Sequence, residues 1–363
     1  MKTNGQQSVS AKEASARTDE ATHFFFDTLE AYRDVVLSRM RQVIPQQGRY
    51  HSVLYGPMID YPLREGKGFR PALCLAVCQA CGGAQAHGLD TAVALEMFHN
   101  AFLIHDDIED ASENRRGQPT LHMQHGIANA TNVGDALNML ALNTLLNNTG
   151  LIGLERSLLV IQDVSRMARE STEGQAIELH WVSGGERRAL ALRDYLLMIY
   201  KKTTWYTCIA PMRLGAIIAG VPDHRLGAFI PFGYRTGAAF QIQDDVLNLV
   251  GEEKLYGKEL NGDIAEGKRT LMIIHAMANS PPAVRRRLEA IYAKPRHLKK
   301  REDIALVLEA MHAAGSIDYA RNIANRLTRS ARAYFDHRFR WLPPGPHRRF
   351  IEAMIDYMSS RKF

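Results

Sequence analysis

An all-α fold, one helical domain over residues 19–363 behind a polar tail of residues 1–18, is what this sequence predicts. Three observations lead there. Apolar residues recur at helical spacing along nearly the whole chain. No Pro/Gly/Ser-rich tract of linker type divides it. A length of 363 residues, with 46% hydrophobic and 23% charged residues, suffices for one large core of ordinary globular composition.

The elements follow in chain order. Residues 1–18, MKTNGQQSVSAKEASART, are polar and lack the apolar stretch of a signal peptide, so they are expected to be a disordered tail. GKGFRP, Gly66 to Pro71, is a loop-to-helix junction, with Pro71 suited to a helical first turn. The helix that follows aligns Cys74, Cys78 and Cys81 on one face. No fourth ligand stands at zinc spacing, so they are expected as small core residues, without disulfides. From Leu89 to His105 the chain has no Gly or Pro and is apolar at helical spacing, which predicts a mostly buried helix. The apolar run from Cys208 to Val221 contains Pro211 and Arg213 and is too short to span a membrane, so it is expected as a core helix. Beyond Asn279, Ile304, Leu308, Met311, Ile323 and Leu327 fit further helices. The run Pro343 to Pro346 breaks them before a last amphipathic helix, where Arg361 and Lys362 are candidates to cap an active site. The protein is expected in the cytoplasm.

Chemistry concentrates in HDDIEDASENRRGQPT, residues 105–120, where Asp106, Asp107 and Asp110 precede Arg115 and Arg116. Asp106 and Asp110, at i and i+4, project from one helix face. Carboxylates at a buried helix end need compensation, and Mg²⁺ that also binds substrate phosphates supplies it. A second cluster, FQIQDDVLN with Asp244 and Asp245, is followed by Lys258 and Lys268, each after a glycine. Lys67 and Arg70 at the GKGFRP junction form an anion pocket, and His99, two turns before Asp106, faces the same way. The net charge of +6 suits anionic substrates. The basic residues at 285–301 and 338–349 are interleaved with acidic and apolar ones as on a solvated face, and no nucleic-acid-binding module is recognisable.

From Gly66 to Thr270 the chain resembles the trans-isoprenyl diphosphate synthases, the polyprenyl synthetases. The resemblance rests on GKGFRP, HDDIEDASENRRGQPT, Gly134-Asp135, Gly174-Gln175, Lys202-Thr203, FQIQDDVLN and the GK, GD and GKRT segments around Lys258, Asp263 and Lys268, all in family order. It implies an all-α bundle around a central cavity, usually a homodimer, that transfers prenyl groups head to tail. By the same resemblance Asp106, Asp107 and Asp110 would hold two Mg²⁺ ions and Asp244 a third, with Asp245 in support. Arg115, Lys202 and Lys258 would serve the allylic diphosphate, and Lys268 would also bind substrate. Lys67, Arg70, His99 and Arg116 would hold isopentenyl diphosphate, and Thr203 and Gln241 would face the allylic cation. Asn248 departs from the family pattern by replacing the usual last Asp of the second motif, and Glu178 by replacing an Asp.

Side chains one and two turns before Asp106 face the growing tail, so Phe102 and Phe98 would form a floor with Ala101 leaving space beside them. A short product is expected, geranylgeranyl diphosphate first, with farnesyl diphosphate, geranylfarnesyl diphosphate or a longer product as alternatives. A terpene cyclase has no need of Lys67, Arg70, His99 and Arg116, and a noncatalytic subunit has no need of the intact first carboxylates.

Overall fold

A computed structural model describes residues 4–64, 66–186, 188–251 and 260–360, with side chains over 20–358 of these. Helices form almost all of the regular structure. They are α1 (Asn4–Val43), α2 (Gly56–Leu63), α3 (Phe69–Ala80), α4 (Gln85–Glu109), α5 (Leu121–His125), α6 (Ile127–Asn147), α7 (Thr149–Ile152), α8 (Leu154–Val182) and α9 (Leu192–Ile199). A π-helical segment, Tyr200–Ile209, joins α9 to α10 (Ala210–Ile218). There follow α11 (Asp223–Leu226), α12 (Phe229–Val250), α13 (Gly262–Glu266), α14 (Leu271–Asn279), α15 (Pro282–Tyr292), α16 (Arg301–Ala313), α17 (Ser316–Arg338) and α18 (Pro346–Ser360). A small antiparallel hairpin, β1 (Asn114–Arg115) with β2 (Gln118–Pro119), pairs Arg115 with Gln118.

The all-α expectation holds, with one correction at the start. Residues 4–18 are the first turns of α1, not a separate tail. Their Ala, Lys, Glu and Arg residues favour helix and no Pro interrupts them. The helix foreseen over 89–105 also runs longer at both ends, so Asp106 and Asp107 lie within its last turn and Asp110 caps it. Among the described residues no helix is long and apolar enough to cross a membrane.

Two hydrophobic cores form. The larger joins α1, α3, α4, α6, α10 and α18 through residues such as Met40, Leu73, Met97, Leu137, Met212 and Phe350. The smaller joins α9, α12, α14, α16 and α17 through Tyr195, Ile242, Ile273, Met311 and Ala320. The candidate site lies where they meet.

Glycines set the closest approach there. A Cβ on Gly174 of α8 would overlap the backbone N of Lys202, and one on Gly237 of α12 would stand 3.0 Å from Cβ of Thr204. With those positions bare, α8 and α12 close against the π segment from two sides. A π segment is a wide turn often found at functional positions; here it carries Lys202 and Thr203.

Candidate active site

Asp106 of the first acidic cluster and Asp244 and Asp245 of the second line a common cavity of about 260 Å³, together with Arg70, His99, Arg115, Arg116, Lys202, Thr203, Gln241, Asp263 and Lys268. Sequence spacing had grouped Asp106 with Asp107, but the fold separates them. The Asp106 side chain keeps 25% exposure. Its Oδ1 accepts from Lys202 Nζ at 3.2 Å and from Gln175 Nε2 at 3.4 Å. Asp107 is 1% exposed. Arg115 Nε donates to its Oδ2 at 2.7 Å and Nη2 to its Oδ1 at 2.5 Å, and Tyr61 Oη donates to Oδ2 at 2.7 Å. Both Asp107 oxygens are thus engaged inside the protein, and the expectation of a metal ligand there is corrected. Asp107 holds Arg115 at the cavity wall. Burial opposes the Arg115 charge, yet Asp107 outweighs it and raises the guanidinium above its ordinary range.

Asp110 accepts from Lys268 Nζ at 2.6 Å, and Lys268 also pairs with Glu266 at 2.8 Å. Burial pushes the Asp110 carboxyl up to about 7, against the pull of Lys268. Lys202 bridges Asp106 and Glu178, the residue that departs from the family pattern. Burial works against this ammonium too, and Asp106 and Glu178 more than offset it.

On α12, Asp244 lines the cavity. Asp245 Oδ2 accepts from Tyr195 Oη and Oδ1 from Gln241 Nε2, both at 2.7 Å. Burial raises its carboxyl to about 7. Asn248 is 3% exposed, and its Oδ1 accepts from the Asp263 backbone N at 3.2 Å while its carbonyl accepts from Asn261 N at 2.8 Å. This Asn ties the Gly262-Asp263 turn onto α12 and brings Asp263, a residue without an assigned role in the sequence reading, to the cavity wall. Lys258 lies outside the described residues, as do Arg361 and Lys362.

Arg70, His99 and Arg116 lie together on the cavity wall. Arg70 reaches His99 Nε2 at 3.2 Å, donates to Thr207 Oγ1 at 2.9 Å and lies 4.4 Å over the Tyr206 ring. Arg116, at φ 52, donates to the Tyr61 carbonyl at 2.8 Å. Gly66 leaves it room, since a Cβ there would stand 2.7 Å from its Nη1. Lys67 Nζ donates to Tyr357 Oη of α18 at 3.1 Å, which places it at the edge of this pocket.

An apolar chamber of about 190 Å³ shares Leu103, Asp106, Lys202 and Tyr206 with the polar cavity and continues it between α4, α6 and α8. Phe102 lines the chamber and meets Tyr206 edge-on at 5.8 Å. Two chain-length expectations change here. Phe98 packs behind Phe102, with ring centroids 6.5 Å apart, and Ala101 is wholly buried. Neither lines the chamber: on α4 they turn toward the larger core. Tyr206 was missed, although its i+4 spacing from Lys202 was a usable signal.

Donors of this kind suit Mg²⁺: Asp106, Asp110, Asp244 and Asp263 offer hard oxygens. Neighbouring Asp106 and Glu266 add to the raised Asp110 value, as a surplus of negative charge would. Carboxylates, two basic subsites and an apolar chamber on an all-α scaffold define an enzyme of the prenyltransferase class, one that handles diphosphates with hydrocarbon tails.

The chain belongs to the polyprenyl synthetase family, whose model matches residues 52–311. It is 32% identical over 297 residues to the short chain isoprenyl diphosphate synthase of Methanothermobacter thermautotrophicus, covering 82% of this chain and 87% of that one. It is 31% identical over 300 residues to the geranylgeranyl diphosphate synthase of Methanosarcina mazei, covering 82% and 86%. The crystal structure of geranylgeranyl pyrophosphate synthetase from Pyrococcus horikoshii is similar with TM-score 0.82 and 30% identity, over 94% of this chain and 99% of that one. The protein is accordingly a trans-prenyltransferase.

Proposed function

We propose that this enzyme condenses isopentenyl diphosphate head to tail with an allylic diphosphate, and that geranylgeranyl diphosphate is its product. One observation carries the reading: the cavity joins two differently built anion subsites to a single apolar chamber. Asp106, Lys202, Lys268 and Arg115 form the allylic side, with Lys258 assigned there by its place in the sequence. Arg70, His99 and Arg116, with Lys67 at the edge, form the isopentenyl side. A terpene cyclase would not require that second subsite, and the paired carboxylates speak against a noncatalytic subunit.

Mg²⁺, three ions by family likeness, would be held by Asp106, Asp110 and Asp244, and when bound neutralises charge on the departing diphosphate. Lys202 and Lys268 supply fixed positive charge beside that leaving group. Gln241 has its amide N–H engaged by Asp245, so its carbonyl oxygen is the dipole offered to the allylic cation, together with the Thr203 hydroxyl. Arg70 and Arg116 orient the isopentenyl double bond toward that carbon. The released diphosphate takes the final proton.

Phe102 and Tyr206 limit the chamber and support a short product. The enzyme is proposed to be a homodimer through α6 and the start of α8, which expose Met139 (62%), Leu146 (57%), Leu154 (66%) and Leu158 (50%). Large apolar side chains gathered on one face mark an association surface. Its four cysteines are unpaired thiols, in keeping with a cytoplasmic setting.

The test is a product assay with purified enzyme, Mg²⁺, isopentenyl diphosphate and dimethylallyl, geranyl or farnesyl diphosphate, followed by mass spectrometry of the dephosphorylated products. A C20 alcohol is expected. Hydrocarbon formed without consumption of isopentenyl diphosphate would overturn the reaction, and a C15 or C25 alcohol would overturn the chain length.

A further inference from the structure

Several arginines of this protein are held by carboxylates. Arg39 of α1 forms a two-point pair with Asp90 at 2.7 and 3.2 Å, and Arg213 holds Asp163 at 2.6 and 2.8 Å. Arg33, less than two turns before Arg39 on the same helix, breaks that pattern. Its Nε is buried without a hydrogen-bond partner, and no carboxylate among the described residues stands within ion-pair distance.

Its position gives that break a meaning. Gly68, at φ +62, is the residue before the first turn of α3, between Lys67 and Arg70. A Cβ on Gly68 would stand 3.1 Å from both Cβ and Cγ of Arg33, so the arginine stem lies flat on this glycine. Any larger residue at 68 would displace it. Burial lowers the pKa of Arg116, and the nearby charges of Arg115, Arg70 and Arg33 add to the effect. Glu96 opposes that through its field, but its carboxylate accepts a hydrogen bond from Asn100 at 3.1 Å. Arg70 is met by a histidine and a threonine, and Arg116 by a backbone carbonyl. Gathered, partly buried guanidiniums without carboxylates are costly unless an anion completes them, and guanidinium forks match phosphate oxygens well.

We infer that Arg33 is a further binding residue of this enzyme, reaching across Gly68 to the diphosphate of isopentenyl diphosphate beside Arg70 and Arg116. The inference rests on the assignment of that diphosphate to the Arg70 and Arg116 pocket. It adds α1, an element with no motif, to the substrate site.

Steady-state kinetics of Arg33→Met, Arg33→Lys and Arg70→Met test it, with each substrate varied in turn and thermal melting recorded for every variant. Arg33→Met is expected to raise KM for isopentenyl diphosphate roughly tenfold, the loss of one charge-assisted contact. KM for the allylic diphosphate should stay within about twofold, since that anion lies on the other side of the cavity, and Arg33→Lys should recover part of the loss. A wild-type KM for isopentenyl diphosphate in Arg33→Met, with a raised one in Arg70→Met, would overturn the role of Arg33 and leave the pocket assignment standing. Wild-type values in both variants would overturn the pocket assignment itself. Equal rises in both KM values with a lowered melting temperature would make Arg33 a packing residue and overturn the inference as well.

Discussion

Asp106 and Asp107 are adjacent in sequence, yet the structure predicts opposite outcomes when each becomes Asn. Asp107 is 1% exposed and engages Arg115 at 2.5 and 2.7 Å and Tyr61 at 2.7 Å. Breaking a buried pair strands the other charge, at a cost of about 3–5 kcal/mol. At about 2 °C per kcal/mol for a chain of this size, Asp107→Asn should lower the melting temperature by about 6–10 °C. Asp106 keeps 25% side-chain exposure, and its partner Lys202 retains Glu178. Its loss should cost under about 1 kcal/mol but lower turnover at least about 100-fold, the scale on which direct stabilisation of transition-state charge operates. Melting curves in metal-free buffer and initial rates with saturating isopentenyl diphosphate separate the two effects. Asp107→Asn should also raise KM for the allylic substrate as Arg115 loses its anchor. An Asp107→Asn protein that melts like wild type and loses turnover as fully as Asp106→Asn would refute the reasoning and return Asp107 to the metal ligands.

Three further outcomes are expected. Phe102→Ala opens the chamber at the ring that meets Tyr206, so chromatography of the dephosphorylated products should show chains at least one C5 unit longer, whereas Phe98→Ala alone should leave them unchanged. Gly174→Ala drives a methyl group into the backbone at Lys202; overpacking of this kind costs about 1–3 kcal/mol, and kcat should fall at least tenfold as Lys202 shifts from Asp106, which paired melting and rate measurements would register. Burial, and then Arg269, push Lys299 down from 10.5 to about 8. Between those values the unfolded chain binds more protons than the folded one, so this group makes stability rise with pH over that window. Urea midpoints at pH 7.5 and 9.5 should differ less in Lys299→Met than in wild type.

Helical periodicity and motif order are local properties, so the all-α class, the family likeness and the acidic and basic residues of the cavity were legible from the chain alone. An i, i+4 pair such as Asp106 and Asp110 shares a face wherever the helix packs. Which of two neighbours faces the cavity is a different matter, because successive residues on a helix point about 100° apart and the surroundings decide. Tyr61 and Arg115, brought in by α2 and the hairpin, claimed Asp107 and left Asp106 to Lys202. Packing of α4 against the larger core likewise buried Ala101 and set Phe98 behind Phe102. The same holds for Asn248, whose side chain serves the Asp263 turn, and for Arg33, whose stem lies against Gly68 only because α1 packs over the start of α3. Residue type and spacing determined which groups this protein has for its chemistry. Long-range packing alone decided which of them face the substrate, because burial and partners are properties of the assembled helices.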